Sequence, residues 1–418
     1  MKPLTFEKIS PLGKQRYWIV AFCFLAYVVA YMDRSNIGVL IAYSGFTRVL
    51  GITNDKAMQG SLMSVFLICY GACSFLAGPV VQRFGPKKSL FFGLLSWAVM
   101  TVVMGVVSST LIFVICRGLL GISESVLSPG VSSLIQAWFP LKERSTANGI
   151  WYTGIKIAQI IATPVFAWWI YMVGWRGSFY LLALVGLIPV CFVCYVYNHP
   201  SQSPKITNEE AEYIINGGGA VPANATKMDF SFLKNLNFWC ISVIFAIANS
   251  AIWGFVSWVP SYLKGTLGFS WEMMGSLAAL PYISATVSVL LICPLMDKYN
   301  RRAIFSMICC AMFAVTLMIA MTTESRIVAV AVLSLALAFG SIVTPASVAM
   351  VQNITDQKQV ASASGFLTGI AYVFASITPY GMGLLYNITG TLKSGFIGLS
   401  ALIIIGFLLC IPLVRQRL

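Results

Sequence analysis

Gly78-Pro79-Val80-Val81-Gln82-Arg83-Phe84-Gly85-Pro86-Lys87-Lys88 is a basic turn between two long apolar runs, and Pro294-Leu295-Met296-Asp297-Lys298-Tyr299-Asn300-Arg301-Arg302 repeats it loosely later in the chain. A shift of 215 residues carries Pro79 onto Pro294, Arg83 onto Lys298 and Phe84 onto Tyr299. The same shift carries Gly60-Ser61-Leu62 onto Gly275-Ser276-Leu277, Gly154-Ile155 onto Gly369-Ile370 and Thr163-Pro164 onto Thr378-Pro379. One offset holding across separated regions implies two parallel repeats related by an axis along the membrane normal. Halves of this kind enclose a central cavity, with a binding site near the midplane reached alternately from each side.

The composition supports a membrane setting. Of the 418 residues, 58% are hydrophobic and only 10% charged, against roughly a quarter charged in soluble domains. Apolar runs of bilayer-spanning length, about 20 residues, start near Tyr17, Gln59, Lys88, Leu111, Ala147, Gly177, Leu236, Glu272, Arg302, Ile327, Val360 and Ser394. The first is too long for a signal peptide and has no small-residue cleavage site, so it counts as span 1. The expected fold is an all-α membrane protein of twelve transmembrane helices in two pseudo-symmetric six-helix bundles. Residues 1–197 and 236–418 form the bundles, and 198–235 a polar linker. Within the linker, Thr207 followed by Glu209 and Glu210 predicts a capped surface helix, which Gly217-Gly218-Gly219 ends.

The formal charge of +14 follows from topology. With the N-terminus in the cytoplasm, cytoplasmic segments hold 18 Lys and Arg, outer loops hold 6 and helix interiors 3. The positive-inside rule therefore places both termini in the cytoplasm. The bilayer is the expected partner, nucleic acid is not, and the chain is expected to act as a monomer. The eleven cysteines, Cys191-x-x-Cys194 included, show no disulfide or metal pattern and read as packing residues. The single histidine, His199, precedes Pro200 in a loop. No zinc spacing, phosphate-cradling glycine loop or hydrolase triad is present, so the chain is not read as an enzyme, and no metal or organic cofactor is expected.

The paired loops resemble the signature loop of the major facilitator superfamily, and the resemblance extends over essentially the whole chain. It implies gating roles for Arg83, Gly85, Asp297 and Arg301. Gln82 replaces the usual Asp, which implies a weaker latch in the first half, while Asp297 keeps the acid in the second. Within the superfamily the chain resembles the anion:cation symporters, which include bacterial sugar-acid permeases, sialin and the vesicular glutamate transporters. That likeness rests on Tyr31-Met32-Asp33-Arg34-Ser35-Asn36-Ile37-Gly38, Arg117-Gly118-Leu119-Leu120-Gly121-Ile122-Ser123-Glu124, Trp138-Phe139-Pro140 with Glu143-Arg144, Gly174-Trp175-Arg176-Gly177 and Gly275-Ser276-Leu277-Ala278-Ala279-Leu280-Pro281. It implies inward transport of an organic anion, a bacterial inner-membrane location, and hydroxyl contacts to substrate from Tyr31 and Tyr70.

Five ionisable residues, Asp33, Arg34, Arg117, Glu124 and Lys156, lie inside apolar spans, all in the first half. Each charge costs about 2.5 to 3.5 kcal/mol at a helix centre on insertion scales, so they read as one site. Arg117 and Glu124 are seven residues apart, on one helix face about 10 Å apart along the axis. Asp33 and Glu124 are the proton-coupling candidates and Arg117 their expected partner. The planar fork of Arg34 suits a substrate carboxylate. Protonating both acids takes the intramembrane charge from +1 to +3, which attracts an anion. The bland alternative is that Asp33, Arg117 and Glu124 form a static network fixing spans 1 and 4. Lys156 has three readings: contact with a second acidic group of the substrate, pairing with Asp33 or Glu124, or snorkelling to an interface.

The second half offers neutral candidates: Asn249, Trp253 and Trp258 in span 7, Tyr282 in span 8, and Thr368 and Tyr372 in span 11. The resemblance leads one to expect asparagine in span 11, where this chain has none between Gly365 and Tyr372. The expected function is import of a small organic anion, a sugar acid or related carboxylate, with protons as coupling ions. An exporter or antiporter is the alternative within transport, although span 5 lacks the Gly-Pro-x-x-Gly-Gly pattern that the superfamily associates with antiport. A non-transporting anion sensor is the alternative from another class.

Overall fold

The computed structural model describes residues 15–219, 231–299, 301–355 and 360–416. The first bundle contains α1 (Gln15–Ile41), α2 (Ser44–Val49), α3 (Lys56–Phe84), α4 (Pro86–Val106), α5 (Thr110–Glu124), α6 (Leu127–Trp138) and α7 (Arg144–Cys194). The linker helix is α8 (Asn208–Asn216). The second bundle contains α9 (Leu236–Ser261), α10 (Trp271–Leu277), α11 (Leu280–Tyr299), α12 (Arg302–Thr322), α13 (Arg326–Ile354), α14 (Val360–Ala375), α15 (Ile377–Thr389) and α16 (Leu392–Arg415).

Ten helical stretches among the described residues are long and apolar enough to cross a membrane. One of them is α7, which Gly174 bends with φ 73° and ψ 171°, a conformation open to glycine, so it makes spans 5 and 6. The stacked pieces α14 and α15 supply span 11, for twelve crossings in all. Spans 4, 8 and 11 are each broken, after Glu124, Leu277 and Ala375 respectively. The expected span starts fall within three residues of the observed ones. An even number of crossings leaves Gln15 and Arg415 on one face, called here the terminal face, and Asn237 Nδ2 donates to Gln416 Oε1 there at 2.6 Å.

The linker helix has the expected cap: Thr207 Oγ1 accepts from the Glu210 amide at 3.2 Å. It docks under the first bundle. Glu210 is fully buried, accepts from the backbone amides of Gln15 and Arg16, and meets Arg16 Nη1 at 3.2 Å. Arg16 Nε lies 3.1 Å from Glu143, whose other oxygen accepts from the Tyr213 hydroxyl at 2.7 Å. Residues 198–219 therefore belong to the first bundle physically. None of the eleven cysteines forms a disulfide among the described residues. Most are buried or half-buried as packing residues, while Cys191 and Cys194 lie exposed on the surface of span 6.

The two bundles meet along three seams: spans 1 and 7, spans 2 and 11, and spans 5 and 8. Glycine brings the backbones together, since a Cβ on Gly38 would strike the Val256 carbonyl, one on Gly60 the Pro379 carbonyl and one on Gly383 the Lys56 carbonyl. Polar contacts close the face opposite the termini: Trp271 Nε1 donates to the Ala167 carbonyl at 2.8 Å and the Tyr380 amide to Ser64 Oγ at 3.1 Å. On the terminal side spans 2 and 11 stay in contact, with the Phe75 and Phe366 ring centres 5.2 Å apart, while the face of span 5 is open. Tyr152 there is 55% exposed, although its electrostatic neighbours are Tyr31 and Tyr70 at the seam.

Candidate functional site

Four of the five intramembrane charges form two ion pairs between spans 1 and 4. Arg34 Nε lies 2.6 Å from Glu124 Oε2, with both side chains almost fully buried. Arg117 Nη1 lies 3.8 Å from Asp33 Oδ2, both completely buried. Adjacent residues on α1 thus carry opposite charges to opposite charges on α5, so the network is locally neutral. Arg117, expected to partner both acids, comes within ion-pair distance of Asp33, while Glu124 takes Arg34. The helical stripe on α5 is real, but α1 presents its charges in sequence order and divides the pairs.

The two pairs differ in how well they are satisfied. Asp33 accepts from Asn36 Nδ2 at 2.9 Å and from Trp97 Nε1 at 3.2 Å, in addition to facing Arg117. Arg117 Nε also donates to the Leu62 carbonyl at 3.0 Å, fastening span 4 to span 2. Each pair leaves one buried atom without a hydrogen-bond partner, Arg117 Nη1 in one and Glu124 Oε1 in the other, but Glu124 accepts only from Arg34 among the described residues, where Asp33 has two further donors. The chain breaks its helix immediately after Glu124, where Ser125 and Val126 form a turn before α6.

Arg34 sits in an aromatic box. Its guanidinium carbon is 4.5 Å from the Tyr31 ring centre, 4.5 Å from that of Tyr70 and 5.5 Å from that of Phe66. Desolvated contacts of this type are worth roughly 2 kcal/mol each. Arg117 lies 4.9 Å from the same Phe66 ring. Tyr372 closes the box from the second bundle: Arg34 Nη1 donates to its hydroxyl at 3.5 Å, and that hydroxyl is 3.4 Å from the Tyr31 hydroxyl. Trp253 adds a wall, stacked 6.4 Å from Tyr31 and tilted 5.9 Å from Tyr372. The Arg34 guanidinium of one bundle is thereby in contact with the other.

The remaining predicted residues divide. Thr368 is half-buried on α14, one turn before Tyr372 and on the same face. Asn249 is buried, and its amide donates to the Phe245 carbonyl of its own helix at 2.8 Å. Tyr282 is buried near the start of α11. Trp258 is not at the gap, since it is fully buried and donates to the Pro379 carbonyl inside the second bundle at 3.0 Å. Lys156 is half-buried on α7, with Cys293 of α11 as its electrostatic neighbour across the gap.

In the basic turn between spans 2 and 3, Gly85 takes φ 81°, and Lys87 ties the turn to span 6 by donating its amide to Asn198 Oδ1 and its ammonium to the Cys194 carbonyl. Arg83 is exposed and Arg301 caps α12, also exposed. The Asp297 side chain lies outside the described residues.

Sequence reasoning missed Phe66 and Trp97, which bind the charges, and the lane Tyr27, Trp151 and Tyr152, where Tyr27 stacks on Trp151 at 4.3 Å. Spacing held a signal for part of this: Tyr27 lies one turn before Tyr31 on α1.

A profile of the Major Facilitator Superfamily matches residues 23–335 and 272–417. The chain belongs to the major facilitator superfamily. It is a membrane transporter and not an enzyme. Among its relatives, the D-galactonate transporter of Escherichia coli is 28% identical over 67% of this chain, and the chain spans 66% of that relative's length. A probable galactarate/D-glucarate transporter of Bacillus subtilis is 26% identical over 98% of this chain and 96% of its own. In three dimensions, this major facilitator chain superposes on a bacterial homologue of the human lysosomal transporter Spinster, in its inward-facing and occupied conformation. The TM-score is 0.78 at 15% identity, covering 97% of this chain and 98% of the other.

Proposed function

We propose that this transporter imports a small organic acid of the sugar-acid class together with protons, with the Arg34–Glu124 pair as the coupling element. One observation carries the reading: a buried ion pair, 2.6 Å long, whose cation is boxed by Tyr31 and Tyr70 of one bundle and Tyr372 of the other. Ionised Glu124 and a substrate carboxylate compete for the same guanidinium. A proton on Glu124 removes its attraction and leaves Arg34 uncompensated in a low-dielectric site, where an arriving carboxylate replaces the lost partner. Loss of that proton restores the internal pair and displaces the anion. Anion and proton therefore bind together and leave together.

Asp33, held by Asn36, Trp97 and Arg117, acts as the second acid and fixes span 1 against span 4. With the termini in the cytoplasm, as the distribution of Lys and Arg favours, the gap beside Tyr152 opens to the cytoplasm and the closed seam faces outward. The names of the relatives support a polyhydroxylated carboxylate as cargo.

The test is uptake of labelled galactonate and galactarate into proteoliposomes with an imposed pH gradient, alkaline inside. Accumulation that a protonophore abolishes is expected. Uptake indifferent to the gradient, or requiring a counter-substrate inside, would overturn symport.

A further inference from the structure

Four intramembrane charges neutralise one another, and Lys156 is left over. Among the described residues it has no ion pair or hydrogen bond. Snorkelling does not explain it. Lys156 is twelve residues from the start of α7 at Arg144 and eighteen from the bend at Gly174. These are about 18 Å and 27 Å along the helix, beyond the reach of a four-carbon stem. Pairing with the site acids does not explain it either, because both are engaged and neither is among its electrostatic neighbours.

Its surroundings place it on the transport route. Lys156 is half-buried on the face of α7 that meets the second bundle: Ala167, three turns further along that face, packs on Gly275 and accepts from Trp271, and Cys293 of the same bundle neighbours the ammonium. Tyr152, one turn earlier on the same face of α7, is exposed in the gap, with Tyr31 and Tyr70 of the Arg34 box as its electrostatic neighbours. The gap thus holds two cations of different kinds. Arg34 is available only when Glu124 gives it up, whereas Lys156 is available at all times.

We infer that Lys156 is a second anion anchor and that the preferred substrate is a dianion, a short polyhydroxylated chain with an acid group at each end. This rests on the organic-acid reading above and names its class. One carboxylate is held by the ammonium of Lys156, a strongly hydrated point charge suited to a partly wet site. The other takes Arg34 once Glu124 is protonated. A dianion also brings the charge that a lone cation in a membrane span requires. A monocarboxylate satisfies only one anchor.

The experiment compares galactarate with galactonate, which share a carbon skeleton and differ at one terminal group. In the wild type, galactarate is expected to compete better than galactonate against labelled galactarate. In Lys156→Gln, the ratio of KM for galactarate to KM for galactonate is expected to rise about tenfold, the loss of one charge-assisted hydrogen bond. Lys156→Arg restores the ratio in part. An unchanged ratio in Lys156→Gln, or an equal loss for both substrates, overturns the inference. Tighter competition by galactonate in the wild type overturns it without any variant. Transport of neither substrate by the wild type would instead remove the organic-acid reading, and this inference with it.

Discussion

Asn387, near the end of span 11, reaches across the bundle seam to Asp55, the N-cap of span 2: its amide donates to Asp55 Oδ1 at 2.9 Å, and its own Oδ1 accepts from the Lys56 amide at 2.9 Å. This double bond between halves lies on the face opposite the termini, where the seam is closed.

Removing it should loosen that face. Asn387→Ala deletes two hydrogen bonds of about 1 kcal/mol each. The balance should move roughly thirtyfold toward the state open on that side. A spin-label distance between that end of α3 and α15 would report it as a new longer population. An unchanged distance distribution would show that the seam is held by packing alone.

The same cluster gives a pH expectation. The Met58 amide, and then Asn387, hold the Asp55 carboxyl below its ordinary value. A depressed carboxyl contributes stability above its unfolded value, near 4, and loses it as pH falls below. The seam should therefore be constant from about pH 5 to 8, and the proton dependence of transport should be insensitive to Asp55→Asn. A shifted transport pH profile in that variant would place part of the coupling at the seam.

Gly383 packs directly on the Lys56 carbonyl. Gly383→Ala has no space for its methyl when this face is closed, so the variant should stay open there and transport slowly while still binding substrate. Cysteine labelling from that side, faster than in the wild type, is the expected readout. Normal transport would mean that the helices separate at no cost.

Arg117→Ala strands the buried Asp33 carboxylate and frees the Leu62 carbonyl. Breaking such a pair costs about 3 to 5 kcal/mol. A fall in the unfolding temperature of the detergent-solubilised protein is expected, with partial recovery in the double variant Asp33→Asn with Arg117→Gln. Equal stability in all three would mean that the 3.8 Å pair contributes nothing.

Much of this architecture was legible in the sequence because its cause is one-dimensional. Apolar runs long enough to cross a bilayer mark the spans, and the 215-residue shift from Pro79 to Pro294 marks the two bundles. The site residues were legible as a set for the same reason, since charge in a span is conspicuous. Their pairing was not. Seven-residue spacing puts Arg117 and Glu124 on one stripe, but whether Asp33 or Arg34 meets each depends on how α1 is rotated against α5. Asn387 was invisible because an asparagine at a helix end ordinarily faces water, and only the approach of α15 to α3 gives it two partners. Trp258 misled in the other direction, because a tryptophan in a span serves packing as readily as a gap.

Coupling of anion to proton depends on exchange of Glu124 and the substrate carboxylate on Arg34. Glu124→Gln tests it most directly, in proteoliposomes assayed both for uptake driven by a pH gradient and for exchange of labelled against unlabelled galactarate. Gradient-driven accumulation is expected to be lost while exchange persists, because a permanently neutral partner leaves Arg34 open to the anion. Accumulation at the wild-type level, with its pH dependence intact, would contradict it.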